Sequence, residues 1–158
     1  MANRRSAGIL LFRRSGGETE FLLVHPGGPF WAKKDAGAWS IPKGRIEAEE
    51  EPRACAIREL EEELGPAPEL DPEQLIELGR IKQKAGKIVE AWAAEADFDP
   101  ATLASNTVSI EWPPRSGNQQ EFPEVDRAGW FDLGTAREKI IPAQAELLDR
   151  LLEYLNDR

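Results

Sequence analysis

Residues 51–66 constrain this chain more than any other stretch. Pro52 suits the first helical position, where the missing N–H would be unbonded anyway, and Glu51 just ahead of it suits the positive end of a helix dipole. Gly65-Pro66 is a stop signal, because glycine takes the turn that ends a helix and proline cannot extend it. Between these limits, at about 100° per residue, Ile57, Leu60 and Leu64 fall on one side and Glu59, Glu62 and Glu63 on the other. One face must meet a core, while the other carries carboxylates at i,i+3 and i,i+4 spacings that destabilise an isolated helix. A divalent cation removes that conflict, and hard cations such as Mg²⁺ take oxygen ligands. A glutamate-rich helix face alone is more often simply solvated, so the residues around it decide the reading.

Around this helix the pattern predicts strands. Residues 6–13 centre on the apolar run Gly8-Ile9-Leu10-Leu11-Phe12, and after the turn signal Ser15-Gly16-Gly17-Glu18 residues 21–24 form a second strand, together a hairpin. Residues 25–37 are a glycine- and proline-rich loop, of the long kind that is often functional. Residues 39–41 read as a short strand ending at Pro42, and 43–50 as a polar loop. Strands are expected at 75–82 and 87–96 about a turn at Ala85-Gly86, at 107–112 and at 128–131, with helices at 135–140 and 143–155. Strands, helix, strands, helices in that order indicate an α+β fold with a mixed sheet.

The 158 residues suit one domain, taken as 1–158. A formal net charge of −9 argues against non-specific binding to nucleic acid or anionic membrane, although cations can bridge an acidic protein to polyphosphates. The single cysteine, Cys55, excludes an internal disulfide framework. The apolar run near the start is too short for a signal peptide and no run is long enough for a membrane span, so a cytoplasmic location is expected.

The loop before the helix carries the decisive pattern. Gly44, five residues, Glu50, seven residues, then Arg58-Glu59-Leu60-Glu61-Glu62-Glu63-Leu64-Gly65 resembles the Nudix box, the signature of the Nudix hydrolases. Every fixed Gly, Glu and Arg is present; Pro66 departs from the usual aliphatic residue. The resemblance implies an α/β/α sandwich and Mg²⁺-dependent hydrolysis of a phosphoanhydride in a nucleoside-diphosphate-linked substrate, with Mn²⁺ as a substitute ion. A dinucleoside polyphosphate or nucleoside triphosphate comes first among substrates, on the Pro42-Lys43-Gly44 opening of the box; a nucleotide sugar or ADP-ribose is the alternative. By the same resemblance Glu62 and Glu63 are the principal metal ligands, and Glu59 is a further ligand or the base that activates water. Arg58 orients a neighbouring carboxylate, Gly44 brings a backbone carbonyl to the metal, and Glu50 is ancillary. A non-catalytic nucleotide-binding module with this fold is the competing class, and retention of Glu59, Glu62 and Glu63 argues against it. Relatives often pair, so a homodimer is one expected assembly.

Other residues are candidates on weaker grounds. A later-loop carboxylate often joins such a site; Glu121 and Glu124 are the choices, with Glu121 favoured and Glu124 read as an anchor for the following segment. Lys43 and Arg45 can meet phosphate as point charges, or be solvated surface cations. Phe30 and Trp31 can stack on a nucleobase, although such side chains more often cover a core. His25, the only histidine, is expected to pack or hydrogen-bond at a strand end, and Cys55 to be a small buried residue rather than a nucleophile.

Overall fold

The early apolar run becomes a strand buried on both faces. The computed structural model describes residues 5–156. In β1 (Arg5–Ser15) successive side chains alternate, so Ala7, Ile9 and Leu11 enter one core while Leu10 and Phe12 enter the other. β1 turns through Gly16-Gly17 into β2 (Glu18–Pro26), antiparallel, with Phe12 opposite Phe21. The chain continues through β3 (Lys43–Arg45), α1 (Pro52–Leu64), β4 (Ile76–Lys82) and β5 (Ile88–Glu95). It then adds β6 (Thr107–Glu111), β7 (Gln119–Pro123), β8 (Val125–Phe131), α2 (Leu133–Lys139) and α3 (Ala145–Asn156).

Among the described residues these form a six-stranded sheet in the order β4-β5-β1-β2-β8, with β3 also on β1, and a separate β6–β7 hairpin. The sheet is mixed, because β1 runs parallel to β5 and antiparallel to β2 and β3. On one face Cys55, Ala56, Leu60 and Leu64 of α1 pack with Ile9, Leu11, Leu22 and Trp92. On the other, Ile140 and Leu147, Leu148 and Leu151 of α3 pack with Leu10 and Leu23. The result is the α/β/α sandwich of class α+β that the sequence predicts. No helix among the described residues is long and apolar enough to cross a membrane.

α1 begins and ends where its signals stand. The Glu51 carboxylate accepts from Ala54 N–H at 3.0 Å, and Gly65, at φ 82°, donates its N–H to Glu61 O at 2.8 Å. The helix is rotated from the expected orientation: Cys55 and Ala56 are fully buried and Ile57 only partly. That rotation brings Glu59 and Glu63 to the margin of the core face, where they are 8% and 5% exposed. Leu60 and Leu64 are fully buried, and each contributes roughly 1.5–3 kcal/mol. Glutamate repulsion along the helix is only a few tenths of a kcal/mol per pair, so core burial holds the crowded carboxylates in place.

Two other elements differ from expectation. Residues 39–41 form no ladder of their own; Ser40 bridges Val24 and Trp39 bridges Ile140. Pro42 has no N–H to give, and its carbonyl accepts from Ile9 N–H at 3.1 Å. Regular pairing starts one residue later, with Lys43, Gly44 and Arg45 opposite Gly8, Ala7 and Ser6. β1 thus pairs with β2 only through residues 12–15, and residues 39–45 occupy the space between the two strands. The second difference is β7, which the polar run Gln119-Gln120-Glu121 conceals; it forms by pairing with β6, and only Phe122 among its residues is partly buried.

Candidate active site

Three carboxylates converge at the edge of the sheet. One ligand oxygen from each of Glu59, Glu63 and Glu124 lies within 4.8 Å of the other two. The first two come from successive turns of α1; Glu124 sits at the corner between β7 and β8. A relay of backbone hydrogen bonds places it. Asn106 N–H donates to Glu62 O near the C-terminus of α1, and Glu124 N–H donates to Asn106 O, both at 2.9 Å. The Glu124 carbonyl then accepts from Gly27 N–H at 2.9 Å. Glu121, the favoured candidate in sequence, stands instead on the exposed side of the hairpin and accepts from Thr107 Oγ1 at 3.0 Å. The geometry therefore reverses the order of the two: Glu124 joins the cluster because its backbone is tied to α1, and Glu121 points away with β7.

The electrostatics of this cluster call for positive charge. Burial first, then repulsion from Glu124 and Glu59, pushes the Glu63 carboxyl up to about 9, with Lys43 opposing. Burial also raises Glu59, followed by the negative field of Glu62. Lys43, half-buried beside the trio, is lowered by its own burial, against the pull of Glu63, Glu59 and Glu124. One ammonium does not balance three carboxylates, two of them buried and Glu124 partly so. The set is all oxygen, close-spaced and short of positive charge, which fits a hard divalent cation.

Arg58 organises the flank. Its Nε and Nη2 hold Glu50 at 2.8 and 3.0 Å, while Nη1 donates to Glu59 Oε2 at 2.6 Å and to Glu62 Oε2 at 2.5 Å. This fork keeps the Glu50 carboxyl down at about 2, with help from Glu47 N–H, and raises Arg58 above its usual value. Glu50 thus serves as an anchor for Arg58. Glu62 is near the cluster, yet its carboxylate is engaged by Arg58 and it is not one of the three that converge.

Gly44 is required for a steric reason that its position in the motif does not state. A Cβ there would lie 1.8 Å from Glu59 Oε1. The Gly44 and Arg45 carbonyls lie 3.7 and 3.4 Å from Cys55 Sγ. Cys55 is buried and its thiol is pushed up to about 12 by burial, which fits a structural residue and not a nucleophile. The Arg45 side chain is exposed.

A cavity of about 230 Å³ opens beside the carboxylates. Lys43, Glu63 and Glu124 line one end, and Val24, Trp31 and Ile141 give it apolar walls. Trp31 is 39% exposed, with the Lys34 ammonium 5.0 Å above its ring. Phe30 is excluded from this lining; it packs edge-on against Trp112, joining the loop to the β6–β7 hairpin. The loop is pinned by fully buried His25, whose Nδ1 lies 2.8 Å from Asp126 Oδ1 and Nε2 2.6 Å from the Lys34 carbonyl.

Comparison with known proteins adds a lineage to this geometry. The family model described as NUDIX domain matches residues 2–151. An octanoyltransferase of Myxococcus xanthus is 28% identical over 139 residues, covering 86% of this chain and 33% of that protein, so the chain spans about a third of its length. An RNA pyrophosphohydrolase of Roseobacter denitrificans is 26% identical over 138 residues, 75% of each chain. Among solved structures, a C. elegans Ap4A hydrolase in a binary complex superposes with a TM-score of 0.64 at 24% identity, covering 97% of this chain and 99% of that one; at that identity the likeness is one of fold.

Proposed function

The chain belongs to the NUDIX family, and from that premise we propose that it hydrolyses a phosphoanhydride in a nucleoside-diphosphate-linked substrate, using a divalent cation held by Glu59, Glu63 and Glu124. The observation that carries this reading is the convergence of those carboxylates at one end of a cavity walled by Trp31. Mg²⁺ is the proposed ion, with Mn²⁺ able to replace it. When bound, such a cation neutralises phosphate oxygens and polarises phosphorus.

The chain's own residues supply the rest. Trp31 offers a face on which a base stacks, and Lys43 places a positive charge between the cavity and the carboxylates. Glu59 accepts a proton from water as the water oxygen bonds to phosphorus and the phosphorus–oxygen bond of the anhydride breaks, so that the fragment on the far side leaves with the bridging oxygen as its phosphate terminus. Arg58 holds Glu59 Oε2, which fixes the direction of the carboxylate during proton transfer. An assay that resolves the nucleotide and phosphate products tests this over a dinucleoside tetraphosphate, a nucleoside triphosphate, a 5′-triphosphorylated RNA and ADP-ribose. The reading expects turnover of the first or second and its loss in Glu63→Gln; a chain inert toward the whole panel would refute it.

A further inference from the structure

His25 is the one histidine of the chain, and the reaction proposed above makes no use of it. It stands next to the end of β2, where the ladder with β8 shifts register between His25 and Pro26. Irregularities of that kind redirect side chains. The ring is fully buried and lies edge-on to Trp39, with 5.3 Å between centroids. Both of its nitrogens meet acceptors. Nδ1 lies 2.8 Å from Asp126 Oδ1, and Nε2 lies 2.6 Å from the Lys34 carbonyl.

A neutral imidazole carries one N–H; only the imidazolium donates from both nitrogens. A carbonyl never donates and a carboxylate only accepts, so two acceptors at these distances call for two ring hydrogens. The neutral ring would set a bare nitrogen against an oxygen in a fully buried place, which is costly.

The second acceptor leads to the base platform. Lys34 N–H donates to Trp31 O at 3.0 Å, and the Lys34 ammonium sits 5.0 Å above the Trp31 ring. One residue thus joins His25 Nε2 to Trp31. The other partner is anchored, because β8 is laddered to β2 from Val125 to Phe131. The imidazolium therefore spans a fixed strand and the loop that carries Trp31.

The charged groups around the ring come from three elements. β8 gives Asp126 and Arg127; Arg127 Nε is 3.6 Å from Asp126 Oδ1, and its guanidinium lies 5.3 Å over Trp39. The loop gives Lys34, turned toward Trp31, and Asp35, which accepts from Trp39 Nε1 at 2.7 Å. α2 gives Lys139, paired with Asp35. Asp126 supports charge on the ring, and Arg127, which shares that carboxylate, opposes it.

We propose that His25 is the positioning residue of the base platform: its imidazolium bridges Asp126 to the Lys34 carbonyl and so holds Trp31 at the cavity, and loss of one ring proton releases the loop. This rests on the reading of Trp31 as the face that takes a base. Nucleotide binding should weaken as pH rises through the titration of His25, because the bridging form is the protonated one.

A single histidine gives a single set of imidazole signals, so nitrogen NMR of the cation-free chain reads the ring directly. Both ring nitrogens should be protonated at the acid end of the titration. The Trp31 amide and indole and the Lys34 amide should shift with the midpoint of the ring. The kinetic arm uses a dinucleoside tetraphosphate with saturating Mg²⁺, below that midpoint. His25→Gln keeps one donor but sets an oxygen against Asp126. KM should rise about fivefold, the lower end of what a stacked base contributes, with kcat within about twofold. In a Trp31→Ala background the same substitution should change KM by less than about twofold, since both act through one contact. His25→Gln/Asp126→Asn puts an amide N–H where the carboxylate stood and should regain most of the loss. A ring that stays neutral, or loop signals that ignore its titration, would overturn the proposal, as would equal KM losses with and without Trp31. If the loop follows the ring while Trp31→Ala leaves KM unchanged, the base platform fails and the hold of His25 on the loop stands.

Discussion

Replacing Gly44 with alanine adds one methyl group where β3 meets α1. The new Cβ would lie 1.8 Å from Glu59 Oε1 and 2.0 Å from its Cδ. Ordinary non-bonded contact is about 3.5 Å, so the carboxylate must retreat by roughly 1.5 Å. The backbone cannot yield instead, because Gly44 lies opposite Ala7 in the ladder and α1 is fastened by fully buried Leu60 and Leu64. The retreat also breaks the 2.6 Å contact between Arg58 Nη1 and Glu59 Oε2. A shift of ~1 Å in a positioned group costs about 10²-fold in rate, and overpacking costs about 1–3 kcal/mol in stability. Gly44→Ala should therefore lose about 10²-fold in kcat/KM under saturating Mg²⁺, alongside a moderate fall in the urea midpoint. Steady-state hydrolysis and urea unfolding on the same preparation separate the two effects. Wild-type kcat/KM in a folded Gly44→Ala protein would refute the account of Glu59 as a positioned catalytic group.

The other predictions concern the remaining parts of the site. Glu124→Gln should lower kcat/KM by at least about tenfold, on the scale of losing a group that acts on the transition state, whereas Glu121→Gln on the exposed hairpin should match the parent; the opposite ranking would reinstate Glu121. Trp31→Ala should raise KM with little change in kcat, by about fivefold or more if a stacked base contributes ~1–3 kcal/mol. The Glu63 carboxyl, pushed up to about 9 from 4.5, retains a proton near neutral pH that cation binding must expel. Mg²⁺ affinity by calorimetry should therefore rise with pH toward about 9, with proton release into the buffer. The folded chain holds more protons than the unfolded one between those two values, so cation-free stability should fall as pH rises through that window, by at most ~1.4 kcal/mol per pH unit for one proton. Added Mg²⁺ should reverse the fall, and a flat profile would contradict the assigned state of Glu63.

The helix of the box was legible because its stop and start signals are local. Pro52, Gly65 and the buried Leu60 and Leu64 act within a few residues of one another, and the family pattern rests on the same stretch. The sequence offered Glu121 and Glu124 as later-loop candidates, but which of them joins the cluster was not legible. Glu124 reaches the site through Asn106 and the end of α1, a relay of backbone contacts between segments remote in sequence. Periodicity carries no trace of such a link, and Glu121 and Glu124 look alike as loop acids. The contacts of Gln144 were hidden for the same reason: a glutamine near a helix start is unremarkable until Ser40, Ile41 and Gln83 are brought around it. Phe30 and Trp31 were adjacent candidates for one task, and the loop gives them different ones, with Trp31 at the cavity and Phe30 against Trp112.

The central claim is that a divalent cation held by Glu59, Glu63 and Glu124 is required to break a phosphoanhydride. Its most direct measurement follows nucleotide release from a dinucleoside tetraphosphate with Mg²⁺ present, after chelation, and after Mg²⁺ is restored in excess. The account predicts turnover that vanishes on chelation, returns with the ion, and is absent throughout in Glu63→Gln. Turnover that continues unchanged after chelation would contradict it.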